Sequence, residues 1–367
     1  MEKYDYLIVG AGLFGAVFAH EATKKGKKCL VVERREHVGG NAYTECMAGV
    51  TVHKYGAHIF HTSDKRVWDY VRSFGAFNDY VHAPIAEYRG ERYALPFNMN
   101  TFRQLWGVTA PEEAKKIIAE QTAPFRSVVP KDLETQALRL VGRDVYEKLI
   151  KGYSEKQWGR DCKELPPSLL SRIPLRFTYD NNYFDDLYQG IPKGGYTPIV
   201  EKMLEGSTVL TGTDYAAFIR GHRGIAEKTI YTGSIDEYFE FRYGALAYRS
   251  LRFEIEVLDV ADYQGHAVVN HTAREVPYTR VIEHKHFDPK PISRTVVTRE
   301  YSVERKEGDE PYYPINDAAN GELYEKYRAL ADDRVIFGGR LGEYKYYDMD
   351  DVIAAALSLA DRELSRT

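Results

Sequence analysis

The chain has 367 residues, 44% hydrophobic and 28% charged. That is the composition of a globular protein of two or three domains and excludes a disordered or fibrous chain. Lys and Arg number 50 against 54 Asp and Glu, a net charge of −4, so no basic excess exists to bind a phosphate backbone, and nucleic acid is not an expected partner.

Tyr6-Leu7-Ile8-Val9 reads as a buried parallel strand, followed at once by Gly10-Ala11-Gly12-Leu13-Phe14-Gly15. A helical pattern then runs to about Gly26, and a second strand, Cys29-Leu30-Val31-Val32, ends on Glu33. This is one βαβ unit with a GxGxxG turn. Gly10 permits the tight turn, Gly12 lets backbone approach a pyrophosphate, and Gly15 lets helix pack on strand. The helix N-terminus adds free N–H groups and a positive dipole end. Glu33 is placed to accept hydrogen bonds from ribose hydroxyls and to repel a 2′-phosphate.

Residues 64–75 read as helix and 83–96 as tyrosine-rich strands. Residues 98–172 are mainly helical, with a helix start at Pro111-Glu112-Glu113-Ala114 and a further helix over 133–141. Residues 180–192 read as strand-like, 207–215 and 229–231 as short strands, 240–305 as an antiparallel sheet, and Val335-Ile336-Phe337 as a last buried strand ending in glycines. Asp350 or Asp351 is expected to cap a closing helix through Val352, Ile353, Ala356 and Leu364. No repeat or linker divides the chain, so interleaved domains are expected.

Cys29, Cys46 and Cys162 are odd in number and irregularly spaced, which is no disulfide framework and points to a reducing compartment. The N-terminus lacks the pattern of a signal peptide, and no window approaches the roughly 18 apolar residues of a spanning helix. A cytoplasmic protein without a membrane span is expected. There are 29 Tyr against 16 Phe; such rings suit surfaces that stack on sugars and nucleotides while hydrogen-bonding them, and equally suit half-buried strands.

The stretch Arg34-Arg35-Glu36-His37-Val38-Gly39-Gly40-Asn41-Ala42 resembles that of FAD proteins of the glutathione-reductase and amine-oxidase type. There a second glycine pair meets the flavin-side phosphate, which favours FAD over NAD. In that class a late strand with a glycine pair feeds a final helix facing the flavin. Phe337-Gly338-Gly339-Arg340 fits, and Arg340 would neutralise the pyrophosphate.

Further blocks stand in order along the chain. They are Gly40–Tyr43, His53–Thr62, Leu95–Asn98, Lys151–Trp158, Arg172–Pro174, Asn181–Phe184, Pro277–Lys285, Glu310–Pro314 and Gly338–Met349. Together they closely resemble bacterial UDP-galactopyranose mutases, from about residue 4 to residue 360. The resemblance implies an α/β fold: a Rossmann-like FAD-binding domain (1–80, about 205–240 and 330–367), an inserted helical lid (about 98–175) and an antiparallel sheet domain (about 81–97, 176–204 and 241–329). It implies interconversion of UDP-galactopyranose and UDP-galactofuranose without net redox change. Reduced FAD would supply the nucleophile at N5 and form a covalent adduct with galactose. A homodimer, a cellular reductant such as NAD(P)H, and galactofuranose supply for cell-surface glycans also follow from the resemblance.

By the same resemblance, Arg172 and Arg280 clamp the diphosphate, with Arg176 a competitor for the first role. His58 lies beside the flavin. The cofactor set is Gly10, Gly12, Phe14, Gly15, Glu33, Arg34, Gly40, Asn41, His58, Ile59, His61, Asp214, Tyr215, Arg340, Tyr347, Asp348 and Met349. The substrate set adds His82, Leu149, Tyr153, Ser154, Trp158, Tyr183, Asn270, Tyr313 and Tyr346 to Arg172, Arg280 and Asp348, with Tyr312 the alternative to Tyr313. Some family members carry Asn where His82 stands, Phe at Leu149 and Ile150, and Thr at Ser154, which leaves base recognition open. His58-x-x-His61 and His284-x-His286 lack a third spaced ligand, and no metal is expected.

Overall fold

The computed structural model describes residues 3–170, 175–306 and 308–365. Its first strand, Tyr4–Val9, shows how the sequence builds the parallel sheet. Side chains alternate between faces, so Tyr6 and Ile8 enter one apolar cluster while Leu7 and Val9 enter another. A strand buried on both faces needs a continuous apolar run, and this one has it. Five parallel strands line up in the order Val335–Phe337, Ala226–Tyr231, Tyr4–Val9, Cys29–Val32 and Thr208–Leu210. The glycine-turn helix Leu13–Lys24 and the closing helix Met349–Leu364 pack on one face.

The second sheet has seven strands, in the order Tyr313–Pro314, Tyr248–Leu258, Thr295–Glu304, Arg280–Glu283, Val268–His271, Ile85–Tyr88 and Glu91–Ala94. It is antiparallel as expected except for one neighbour: Ile85–Tyr88 runs parallel to Val268–His271. Those two strands are far apart in sequence, so no hairpin fixes their direction. Along Tyr248–Leu258, Arg252, Glu254 and Glu256 face solvent while Phe253 and Ile255 are half-buried, and cross-strand pairs such as Arg299 with Glu256 (2.9 Å) line the outer face.

Between residues 98 and 170 the chain is helical around a cluster that includes Phe97, Phe102, Leu133 and Tyr146. Each start is chemically marked. Asn98 accepts from the backbone N–H of Asn100 and Thr101; Pro111 opens the helix Pro111–Thr122; Asp132 accepts from Thr135 N–H at 2.7 Å. A π-type turn over Tyr146–Lys151 runs into the helix Gly152–Trp158, which ends on left-handed Gly159.

Two expectations need correction, and two helices come as additions. Residues 180–192 form only the short strand Tyr188–Gly190. The closing helix is capped by Asp348, not by Asp350 or Asp351; Asp351, one turn on, accepts from Asp348 N–H at 3.1 Å. The helices Thr197–Met203 and Ala318–Arg328 were not anticipated. Among the described residues no helix is long and apolar enough to cross a membrane.

Candidate active site

A cleft of about 690 Å³ runs from the glycine turn to the seven-stranded sheet. At its first end two glycine loops meet. Gly10 sits at φ +100°, and a Cβ there would lie 2.1 Å from Thr232 Oγ1. Gly40 sits at φ +55°, and its Cβ would lie 3.0 Å from Gly12 Cα. The loops therefore touch backbone to backbone, leaving main-chain N–H groups at the helix start bare to an anion. Gly15 lies behind, where a Cβ would strike Gly10 O.

Glu33 is buried at the end of its strand. It accepts from Ala11 N–H at 2.8 Å and Arg35 N–H at 2.9 Å, so it braces the turn as well as lining the cleft. Arg34 and Arg35 share Glu310, Arg35 donates to Asn41 Oδ1 at 3.0 Å, and its guanidinium covers the Tyr55 ring. Phe14, Gly12, Arg34, Gly40, Asn41, Asp214 and Tyr215 all line this end. Asp214 also caps the helix Tyr215–Gly221.

Further along stand His58, Ile59, His61, Arg340, Tyr347, Asp348 and Met349. His58 Nδ1 lies 2.8 Å from Gly56 O, a carbonyl that only accepts, so Nδ1 carries the proton and Nε2 is an acceptor. Burial, with Arg340 and Arg280 nearby, pulls its pKa down to about 4. His58 is thus a neutral acceptor between two arginines. His61 Nδ1 lies 2.7 Å from Asp186, and its ring stacks on Phe184 at 3.7 Å.

Arg280 opens its strand at the far end. Its Nη2 donates to Tyr153 OH at 2.8 Å, and its Nε lies 3.2 Å from Glu300 Oε1. Burial opposes the charge, but Glu300, Tyr153 and Tyr313 together hold Arg280 well above the ordinary guanidinium value. Glu300 is 2% exposed. Sequence reasoning missed it, because its role rests on the cross-strand pairing with Arg280. Tyr313 lines the cleft, stacks with Tyr346 at 5.7 Å and lies under Arg340, while Tyr312 is buried against Phe253. Of the two alternatives, Tyr313 is therefore the one that faces the cleft. Asn270 pairs with Arg280 in register, and its Oδ1 is buried without a protein partner. His82 and Tyr183 line the same end. Burial and Arg280 pull His82 down to about 3.

Other candidates stand elsewhere. Leu149 is 5% exposed within the helical cluster, and Trp158 packs against that cluster; neither lines the cleft, nor does Ser154. Leu149 stands in the π-type turn Tyr146–Lys151, against the helical core; Tyr153 and Asn270 likewise lie outside the cleft's lining, next to Arg280. Arg172 lies outside the described residues. Its competitor Arg176 is committed to the loop beside Tyr183, pairing with Asp185 at 2.6 Å and donating to Asn182 O. His58 and His61 point to different partners. His286 Nε2 does meet two acids unforeseen from spacing, Asp262 and Glu283, each at 3.3 Å. Glu283 already accepts from Tyr263 N–H, Gln264 N–H and Thr295 OH.

The parallel sheet, the paired glycine loops and the terminal acid define a dinucleotide-binding protein of Rossmann type, and a model of a NAD(P)-binding Rossmann-like domain matches residues 8–74. The UDP-galactopyranose mutase model matches residues 148–346. The chain is 40% identical to a probable UDP-galactopyranose mutase of Klebsiella pneumoniae, over 100% of this chain and 96% of that protein. It is 37% identical to a dTDP-fucopyranose mutase of Escherichia coli, over 96% and 97%. A crystal structure of reduced UDP-galactopyranose mutase superposes with a TM-score of 0.75 at 16% identity, covering 100% of this chain and 95% of that one. The chain belongs to the UDP-galactopyranose mutase family.

Proposed function

We propose that the chain is a flavin-dependent isomerase that interconverts UDP-galactopyranose and UDP-galactofuranose with no net redox change. The observation that carries this is the single cleft that joins the glycine cradle to Arg280, Tyr313 and Tyr346. A dinucleotide bound at one end would then meet a diphosphate sugar held at the other. The paired glycine loops fit a pyrophosphate, since any Cβ at Gly40 would close the approach, and the buried, unpartnered Oδ1 of Asn270 fits a polar substrate group.

In this reading FAD, active when reduced, supplies the nucleophile at its N5 and is recovered unchanged. The protein does the rest. Arg280, fixed by Glu300 and Tyr153, binds the diphosphate, and its attraction grows as the leaving oxygen takes up charge. His58 Nε2 accepts a hydrogen bond from the cofactor or a sugar hydroxyl. Tyr313, Tyr346 and Tyr183 wall the sugar and exclude water. Arg172 completes the clamp, and residues 98–175 act as the lid. The reading also includes a cellular reductant such as NAD(P)H, a homodimer, a cytoplasmic location and galactofuranose supply for cell-surface glycans.

The test incubates purified protein, with and without dithionite, with UDP-galactofuranose and with dTDP-fucofuranose, and separates the products. The 37% identity to a dTDP-fucopyranose mutase makes the second substrate the direct competitor. Conversion of the uridine sugar only after reduction supports the reading. Equal rates with oxidised flavin, or turnover of the thymidine sugar alone, would overturn it.

A further inference from the structure

The helix Gly152–Trp158 carries Tyr153 on one turn and Lys156 on the next. Lys156 Nζ points at four backbone carbonyls: His271 (2.6 Å), Ala273 (2.9 Å), Val276 (3.0 Å) and Tyr278 (2.9 Å). An ammonium has three N–H donors, so the ring of carbonyls saturates it. Among the described residues it makes no ion pair. The His271 carbonyl ends the strand Val268–His271, and the other three belong to the loop that joins it to Arg280–Glu283. His271 and Ala273 are on its outgoing arm, Val276 and Tyr278 on its returning arm. That loop closes the register pair Asn270 and Arg280.

Other links between helix and loop are one-sided. Thr272 Oγ1 donates to Lys148 O at 2.6 Å, on the outgoing arm only. Arg274 pairs with the buried Glu155 at 2.9 Å, from the tip of the loop and not from both arms. The approach is backbone-close: a Cβ on Gly152 would lie 2.4 Å from Thr272 O. Among the described residues, only Lys156 ties both arms to the helix that carries Tyr153. Tyr153 in turn accepts the hydrogen bond of Arg280.

We propose that Lys156 is a positioning residue: its ammonium holds both arms of the 271–278 loop and thereby sets Arg280 against Tyr153 for diphosphate binding. The inference rests on the reading of the cleft as a UDP-sugar site. It concerns a side chain that does not line the cleft itself. Removing the ammonium leaves four carbonyls converging without a donor and frees the loop arms to separate.

Lys156→Met keeps most of the stem and removes the charge. Flavin content, the Kd for UDP, and kcat and KM with UDP-galactofuranose are measured on the variant and the wild type. The expected result is wild-type flavin content, a UDP Kd raised at least about tenfold and a kcat lowered on the order of 10²-fold, the scale set by a misplacement near 1 Å. A role in folding alone would lower flavin content and UDP binding together. UDP affinity within about twofold of wild type, at full flavin content, would overturn the proposal. If Lys156→Met does not fold, Lys156→Arg carries the test. A planar fork keeps the charge but cannot converge on four carbonyls, so UDP affinity must still fall at full flavin content. Failure of both variants to fold makes Lys156 a folding residue and overturns the proposal. Wild-type protein that fails to bind UDP breaks the functional reading instead, which separates the two failures.

Discussion

Arg280 shows how a single charge is made useful. A guanidinium on a surface strand binds any anion weakly, but here Glu300 pairs with the Nε side at 3.2 Å and Tyr153 accepts from Nη2, which fixes a charged group that lines the cleft. Arg280→Ala should leave flavin bound and lower kcat on the order of 10²–10³-fold, the usual cost of one preorganised donor. Arg280→Lys should recover little, because a point charge replaces a fork. Steady-state kinetics on both variants checks this, and near-wild-type turnover by the lysine variant would refute the bidentate role. Arg172 and Arg176 can be separated the same way. Arg176 is already occupied by Asp185 and Asn182, so Arg176→Ala should reduce turnover far less than Arg172→Ala. Comparable losses in both would reverse the assignment of the clamp.

At the scale of elements, glycine is required in the cradle and dispensable on an outer helix. Gly40→Ala would force a Cβ within 3.0 Å of Gly12 Cα at a positive φ, so the loops must part and flavin content should drop sharply, read from absorbance per protein. Gly321, on the exposed face of the helix Ala318–Arg328, has no atom within 4 Å of where a Cβ would stand. Gly321→Ala should instead raise stability by about 0.4–1 kcal/mol by stiffening the unfolded chain, measured by urea unfolding. The Tyr4–Lys24 strand-turn-helix was legible from sequence because its signals are local: an apolar run, three glycines and a helical period. Residues 180–192 misled because aromatic residues such as Tyr183, Phe184 and Tyr188 favour a strand. In the structure those rings pack on one another and on His82, and Asp186 ties the loop to His61. Glu300 escaped because its role comes from a strand pairing with Arg280, a contact that no local pattern encodes.

Across the whole molecule burial lowers the pKa of six histidines, most strongly His53, His58, His82 and His284. His53 Nδ1 accepts from His58 N–H at 3.1 Å, and its ring stacks on Phe287 at 4.8 Å. His284 Nδ1 accepts from His53 N–H at 3.3 Å, and its Nε2 meets Thr298 Oγ1 at 2.7 Å. Burial holds His58 at about 4, His82 and His284 at about 3, and His53 well below its ordinary value. In the unfolded chain each takes up a proton near pH 6.5. Between that value and the folded values the unfolded state binds more protons, so stability rises with pH. The contribution is complete above about pH 6.5 and is lost as pH falls from there toward about 4 and 3. The interval from about 6.5 down to 5 is diagnostic, because ordinary carboxylates titrate lower. Urea midpoints should fall steadily through it, with a slope of up to about 1.4 kcal/mol per pH unit for each proton taken up on unfolding. His284→Gln should lower the slope by close to one proton whatever it does to absolute stability, since it removes one titrating ring. A midpoint that stays flat from pH 6.5 to 5, or a slope unchanged in His284→Gln, would mean that these rings are not neutral by burial in the folded chain.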